Sequence, residues 1–115
     1  MFGLFKRKKR SMAIVLIDLL ELKPGVTPQE AHDYFGRAMP FLERNGIRRI
    51  DSMLEVKQVA RGTSNTRVIN IFETEDPKTS MPALQADKDY QELVPERDRI
   101  FDLEASTVLM TARMG

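Results

Sequence analysis

Between Met12 and Arg113 the apolar positions change their period repeatedly, and the segments read strand, helix, strand, strand, helix, strand. Residues 13–22 are a nearly continuous run of Ile, Val and Leu, the pattern of a strand inside a sheet, and Lys23-Pro24-Gly25 ends it with turn chemistry. Thr27-Pro28-Gln29-Glu30 is a capping box with proline at the first helical position. Ala31, Phe35, Ala38 and Leu42 then recur at helical spacing as one apolar stripe. Pro40 removes one helical hydrogen bond and predicts a kink, and Asn45-Gly46 stops the helix. Residues 47–60 read as a second strand. At about 3.3 Å per residue it is longer than a small sheet needs, so a bend or bulge is expected, with an overhang free to pair with another subunit. Residues 61–65 are a hairpin loop. Residues 66–74 are the third strand, with Ile69 and Ile71 on one face and Val68, Asn70 and Phe72 on the other. After the break at Glu75-Asp76-Pro77, residues 79–86 read as a short helical piece. Asp87 caps a second piece running to about Phe101, which Pro95 is expected to interrupt. Residues 105–113 form the last strand, with Val108 and Met110 on one face and Leu109 on the other.

This order specifies an α+β fold. Two split βαβ units make one four-stranded antiparallel sheet with both helices on the same face. The other face is left bare and apolar, which predicts that a second copy of the chain covers it. Residues 12–115 are read as a single domain behind a basic tail, residues 1–11.

Composition narrows the chemistry. The chain has 115 residues, no cysteine and one histidine, so disulfides, thiolate chemistry and a multi-histidine metal site within one chain are excluded. Of 18 Lys and Arg, five are consecutive at residues 6–10; the remaining 13 face 17 Asp and Glu, a net charge of −4. A mildly acidic body lacks the basic face that nucleic-acid binding requires, and the aromatic strand signature of RNA-recognition domains is missing. Residues 13–17 follow the cations as in a signal peptide, but Asp18 interrupts the run and no small-residue cleavage site follows. A cytoplasmic location is the expectation. Phe2, Leu4 and Phe5 beside the cations could dock on an anionic membrane surface; the alternatives are a solvated tail, or residues ahead of a natural start at Met12.

Seven side chains are candidates for chemistry. His32 titrates near neutrality and lies about 100° from the centre of the helical stripe. It suits a general base or a single axial haem ligand, or else a half-exposed helix histidine with no partner. Tyr34 and Tyr90 can each donate a hydrogen bond to a carbonyl or phenolate oxygen, or lie at the edge of the core with the hydroxyl in water. Arg97 follows Tyr90 by seven residues, on one helix face if the turns are continuous. Arginine beside tyrosine suits a carboxylate or enolate, and an ion pair with Asp87, Glu92 or Asp98 is the alternative. Glu55 and Glu73 are strand carboxylates that would act as bases if buried and otherwise lie in water. Asn70 is a buried amide candidate that would need partners, and Phe72 shares its face. With no glycine-rich phosphate loop, no Ser-His-Asp set and no metal-ligand cluster, no cofactor is expected.

The stretch Asp87-Lys88-Asp89-Tyr90-Gln91-Glu92-Leu93-Val94-Pro95-Glu96-Arg97-Asp98-Arg99 resembles the Tyr-then-Arg helix of small dimeric α/β-barrel proteins, and Pro40-Phe41-Leu42-Glu43-Arg44-Asn45-Gly46 resembles the end of their first helix. The likeness spans roughly residues 12–113. It is nearest to the domain-of-unknown-function members, with NIPSNAP-like and antibiotic-biosynthesis monooxygenase-like proteins further off. What the resemblance implies is a ferredoxin-like subunit, a homodimer joined sheet to sheet, and a pocket between sheet and helices for small, often aromatic molecules. Some such proteins are cofactor-independent oxygenases, isomerases or cyclases, and some bind haem. Gly46, Phe72, Tyr90 and Arg97 are the positions carried over. Ser52-Met53-Leu54-Glu55 departs from the paired glycines often found there. Together these readings favour a small enzyme or binding protein for an apolar organic molecule, polarised by Tyr90, Arg97 and His32. The alternatives are a non-catalytic interaction domain with a filled interior, and a membrane-surface protein working through its tail.

Overall fold

The computed structural model describes residues 13–115, so the basic tail lies outside the described residues. Five strands are present: β1 (Ile14–Leu22), β2 (Arg48–Arg49), β3 (Leu54–Glu55), β4 (Val68–Thr74) and β5 (Phe101–Thr111). The helices are α1 (Pro28–Arg44), α2 (Pro77–Ala86), α3 (Lys88–Glu92) and α4 (Val94–Ile100). All strand pairs are antiparallel. β1 lies between β4 and β5, and β2 and β3 share the far edge of β4. The architecture is the expected one, with the second strand present as two short pieces.

Those pieces replace the fourteen-residue strand. Arg49 pairs with Phe72 and Leu54 with Ile69, so four residues, 50–53, oppose only Asn70 and Ile71. The two extra residues form a wide bulge that turns the chain out of the ladder. An excess of two keeps the alternation of faces, so Arg49 and Glu55 both fall on the helical side of the sheet. β5 begins earlier than expected and carries its own bulge, where four residues, 103–106, oppose Leu20. The Ser106 hydroxyl staples it, accepting from the Glu21 amide at 2.9 Å and donating to the Asp102 carbonyl at 2.7 Å.

The helices form where local chemistry starts and stops them. The Thr27 hydroxyl accepts from the Glu30 amide and the Glu30 carboxylate accepts from the Thr27 amide, closing the capping box. α1 runs through Pro40 to Asn45, and Gly46 follows at φ +87°. Asp87 ends α2 and caps α3, accepting from the Asp89 and Tyr90 amides. Leu93 breaks the predicted second piece, and Pro95 sits in the first turn of α4, where its missing N–H costs nothing. Asp87 also holds α1 against this junction, accepting from Arg44 at 2.6 and 2.8 Å and from Asn45 at 2.7 Å. These bonds, the Arg44 guanidinium foremost, hold its carboxyl well below the usual carboxylate range.

The core is one layer between α1 and the sheet, with Ala31, Ala38 and Leu42 from the helix against Leu16, Leu20 and Phe72. Tyr34, Phe35 and Phe101 meet ring to ring at 5.2–5.5 Å between centroids. The opposite face presents Val15, Ile17, Leu19, Ile69 and Ile71, all half-buried, flanked by exposed Leu54 and Leu109. No helix among the described residues is long and apolar enough to cross a membrane.

Candidate functional site

A cavity of about 210 Å³ lies between the sheet and the helices. Leu16, Leu20, Phe35, Phe72, Leu84 and Phe101 make its walls apolar. Exposed Gln85, Leu103 and Val108 lie at its open side, Leu103 pushed there by the β5 bulge. Four chemically active side chains reach it: Asp18, Tyr34, Tyr90 and Arg97.

Asp18 lies in the middle of β1, opposite Asn70 of β4 and Val108 of β5. Even positions of β1 face the helices, so strand alternation aims this carboxylate inward. Burial raises its pKa from 3.8 to about 6, and the Asn70 amide, donating at 3.5 Å, opposes that rise. Asn70 itself is fully buried, and its carbonyl accepts from Arg49 Nη2 at 3.2 Å.

The other polar end comes from the helices. Arg97 Nη1 donates to the Tyr90 hydroxyl at 3.2 Å, and its guanidinium carbon lies 6.0 Å from the Tyr90 ring centroid. The seven-residue spacing therefore survives the break at Leu93. Arg97 also pairs with Asp98 at 3.1 Å, which was the alternative reading of this residue. The Tyr34 hydroxyl is buried without a hydrogen-bond partner and lies near that of Tyr90. Burial, then the neighbouring Tyr90, drives the Tyr34 phenol above the usual tyrosine range. With the neighbouring Tyr90 hydroxyl already accepting from Arg97, a buried phenol that makes no well-formed hydrogen bond can turn to an acceptor entering the cavity. The site thus joins a carboxylate of raised basicity on one wall to phenol and guanidinium donors elsewhere in the same cavity, an arrangement fit for removing a proton and holding the oxyanion that results.

Of the residues singled out from the sequence, Tyr34, Phe72, Tyr90 and Arg97 line this one cavity, and Asn70 stands behind it. His32 and Glu55 are brought together elsewhere. They line a shallow groove of about 160 Å³ between the start of α1 and β3, with Met53 beside them. The His32 side chain is 61% exposed, with Nδ1 3.8 Å from Asp33, and Glu55 pairs with Lys57. Glu73 lies on the opposite face of the sheet between Arg48 and Arg113, whose hydrogen bonds lower its pKa. Sequence reasoning missed Asp18 and Arg49. The signal for Asp18 is present in the sequence, an acid at the centre of an apolar strand, but within one strand it marks only an interruption of the hydrophobic run.

No family model matches the chain, and no curated protein matches it in sequence. Solved structures do match. A protein of unknown function from Rhodopseudomonas palustris, RPA0582, superposes with a TM-score of 0.71 at 19% identity, covering 99% of this chain and 92% of its own. An uncharacterised NIPSNAP-like domain protein from Burkholderia xenovorans gives 0.65 at 18% identity, covering 91% of this chain and 88% of its own. SnoaB, a cofactor-independent oxygenase from Streptomyces nogalater, gives 0.62 at 15% identity, covering 90% and 95%. At these identities the likeness is one of architecture, and the chain has a ferredoxin-like fold.

Proposed function

We propose that this protein takes a small aromatic molecule into the cavity and removes a proton from it, with Asp18 as general base. Tyr34 and the Tyr90–Arg97 pair hold the oxygen on which the charge collects. The observation that carries this reading is the half-buried carboxylate of Asp18, its pKa raised by desolvation, on the wall of a largely apolar cavity that also holds a phenol without a well-formed hydrogen bond. A base near pKa 6 is largely ionised at neutral pH and still basic enough to accept a proton. Proton removal is a first step open to an isomerase, a cyclase or an oxygenase without a cofactor, and the fold is shared with one protein described as such an oxygenase.

The volume sets the size of the ligand. About 210 Å³ exceeds the ~150 Å³ cavity that holds one benzene ring and falls below the ~300 Å³ where drug-sized sites begin. One substituted ring fits. The same small volume is what favours the second reading, a non-catalytic interaction domain. In either case we propose a homodimer, with the apolar bare face of the sheet covered by a second copy.

Deuterium exchange tests the catalytic reading. Enolisable aryl ketones of one ring are incubated with the protein in deuterated buffer, and loss of the α-proton is followed by NMR. Asp18→Asn is expected to lower the rate about 10²-fold or more, and Tyr90→Phe with Arg97→Met to weaken binding. Equal exchange with wild-type and Asp18→Asn protein across the panel would return the cavity to a passive role.

A further inference from the structure

We infer that Arg49 is a positioning residue for Asp18, acting at one remove by locking the orientation of the Asn70 amide. The inference rests on the base role proposed for Asp18 and names what regulates it.

Arg49, Asn70 and Asp18 form a polar row across three neighbouring strands, β2, β4 and β1, on the side facing the helices. The bulge at residues 50–53 makes the row possible. It leaves Asn70 without a ladder partner on that side, and the Arg49 side chain reaches across the gap. The donor pattern then allows one arrangement. A guanidinium has only donors, so it must meet the amide oxygen of Asn70. The amide nitrogen is thereby turned toward Asp18, where it can donate only to a carboxyl oxygen. This orientation supports the ionised form of Asp18. Without Arg49 the amide is free to turn over and present its oxygen, which only a protonated Asp18 can satisfy.

Holding Arg49 there is not free. Its Nε is buried without a partner, and burial lowers its pKa, opposed only by Glu43. A guanidinium kept partly unsatisfied beside a fully buried amide is a costly arrangement for a merely structural edge residue. The other charged or titratable groups facing the cavity are Tyr34 on α1, Tyr90 on α3 and Arg97 on α4, while α2 contributes Met81 and Gln85 and β5 contributes Val108 and Leu103 without charge. None of these is hydrogen-bonded to the Asn70 side chain, whose partners are Arg49 and Asp18.

The test is a carboxyl ¹³C NMR titration of Asp18 in the full chain without substrate. Arg49→Met is expected to raise the midpoint by about one pH unit. Arg49→Gln, whose amide ends short of the guanidinium position, is made beside it and is expected to move the midpoint the same way if the methionine variant folds poorly. Asn70→Val raises the midpoint as well, and in that background Arg49→Met adds nothing, because the lock has lost what it holds. An unchanged midpoint in both folded Arg49 variants overturns the inference. So does a full Arg49 shift that persists with Asn70→Val, since the arginine would then act directly through its charge. Because no substrate is present, the result is independent of whether exchange catalysis is ever seen.

Discussion

β1 and β4 carry two faces of opposite habit. Toward the helices they place buried Asn70 and Thr74 and half-buried Asp18 among Leu16, Leu20 and Phe72. Away from the helices they place Val15, Ile17, Leu19, Ile69 and Ile71, with no polar side chain until Glu21 and Glu73 at the ends. The covered face is the more polar one. In an ordinary half-buried sheet the assignment is reversed, apolar in and polar out. Each departure has its own reading. Polar groups inside are held where they lose hydration, which is worthwhile in a site that must bind or react. Apolar groups outside form a contiguous patch of the kind that marks an interface. Thr74 shows the contrast within the covered face: it donates to Ser80 at 2.8 Å and is satisfied, whereas Asp18 has one long bond and an open cavity beside it.

The comparison breaks most visibly on the outer face. Ile17 lies at its centre, between Ile71 of β4 and Leu109 of β5. Ile17→Arg places a charge where a second copy is proposed to pack, and a buried unpaired charge costs several kcal/mol. The expected outcome is a shift from dimer to monomer in sedimentation velocity, with affinity lowered at least 100-fold. A wet face predicts otherwise: sedimentation unchanged and stability within about 0.5 kcal/mol of wild type.

The inner face gives the next effect, through pH. The pKa of Asp18 is about 6 in the folded chain against 3.8 for an unhindered aspartate. Between these values the folded state keeps a proton that the unfolded state releases, so stability falls as pH rises from about 4 to 6 and then levels off. Asp18→Asn removes this dependence. It is expected to stabilise the protein at pH 7 by about 2 kcal/mol, allowing for screening through the cavity mouth, and to change it little at pH 3.5. Denaturant melts at the two pH values measure the difference. A variant no more stable at pH 7 than at pH 3.5, relative to wild type, would mean that Asp18 is solvated and that the inner face is less unusual than its composition suggests.

The sequence carried the two faces further than it carried the site. Period-two alternation assigned Val68, Asn70 and Phe72 to one side and Ile69 and Ile71 to the other because that property is local to the strand. The capping box at Thr27 and the break near Pro95 were legible for the same reason. The excess length of residues 47–60 announced a bend or bulge, but not its place at residues 50–53, because that is a mismatch between two strands and is visible only in their register. Asp18 was missed on similar grounds. Its meaning depends on Asn70, 52 residues away, and on helices that close over it. His32 attracted attention by its intrinsic pKa, yet its place on α1 turns it to a groove at the helix start rather than to the cavity.

The smallest effect is expected at the edge of the outer face, and it sharpens where that face ends. Glu73 accepts from Arg48 at 2.8 Å and from Arg113 at 3.1 Å, with Val15 as its cross-strand neighbour. The two arginines are about half exposed while Glu73 is 17% exposed. If the triad belongs to the polar rim of an interface, water still reaches it and the pair energies stay small. Glu73→Gln should then cost below about 1 kcal/mol in the assembled protein, and the loss should shrink further as salt is raised. If a second copy instead covers the triad fully, the two arginines lose both their partner and their water. The same substitution would then cost several kcal/mol and resist salt. Thermal melts of wild-type and variant protein across ionic strength show whether the boundary of the covered area falls between Val15 and the triad or beyond the triad.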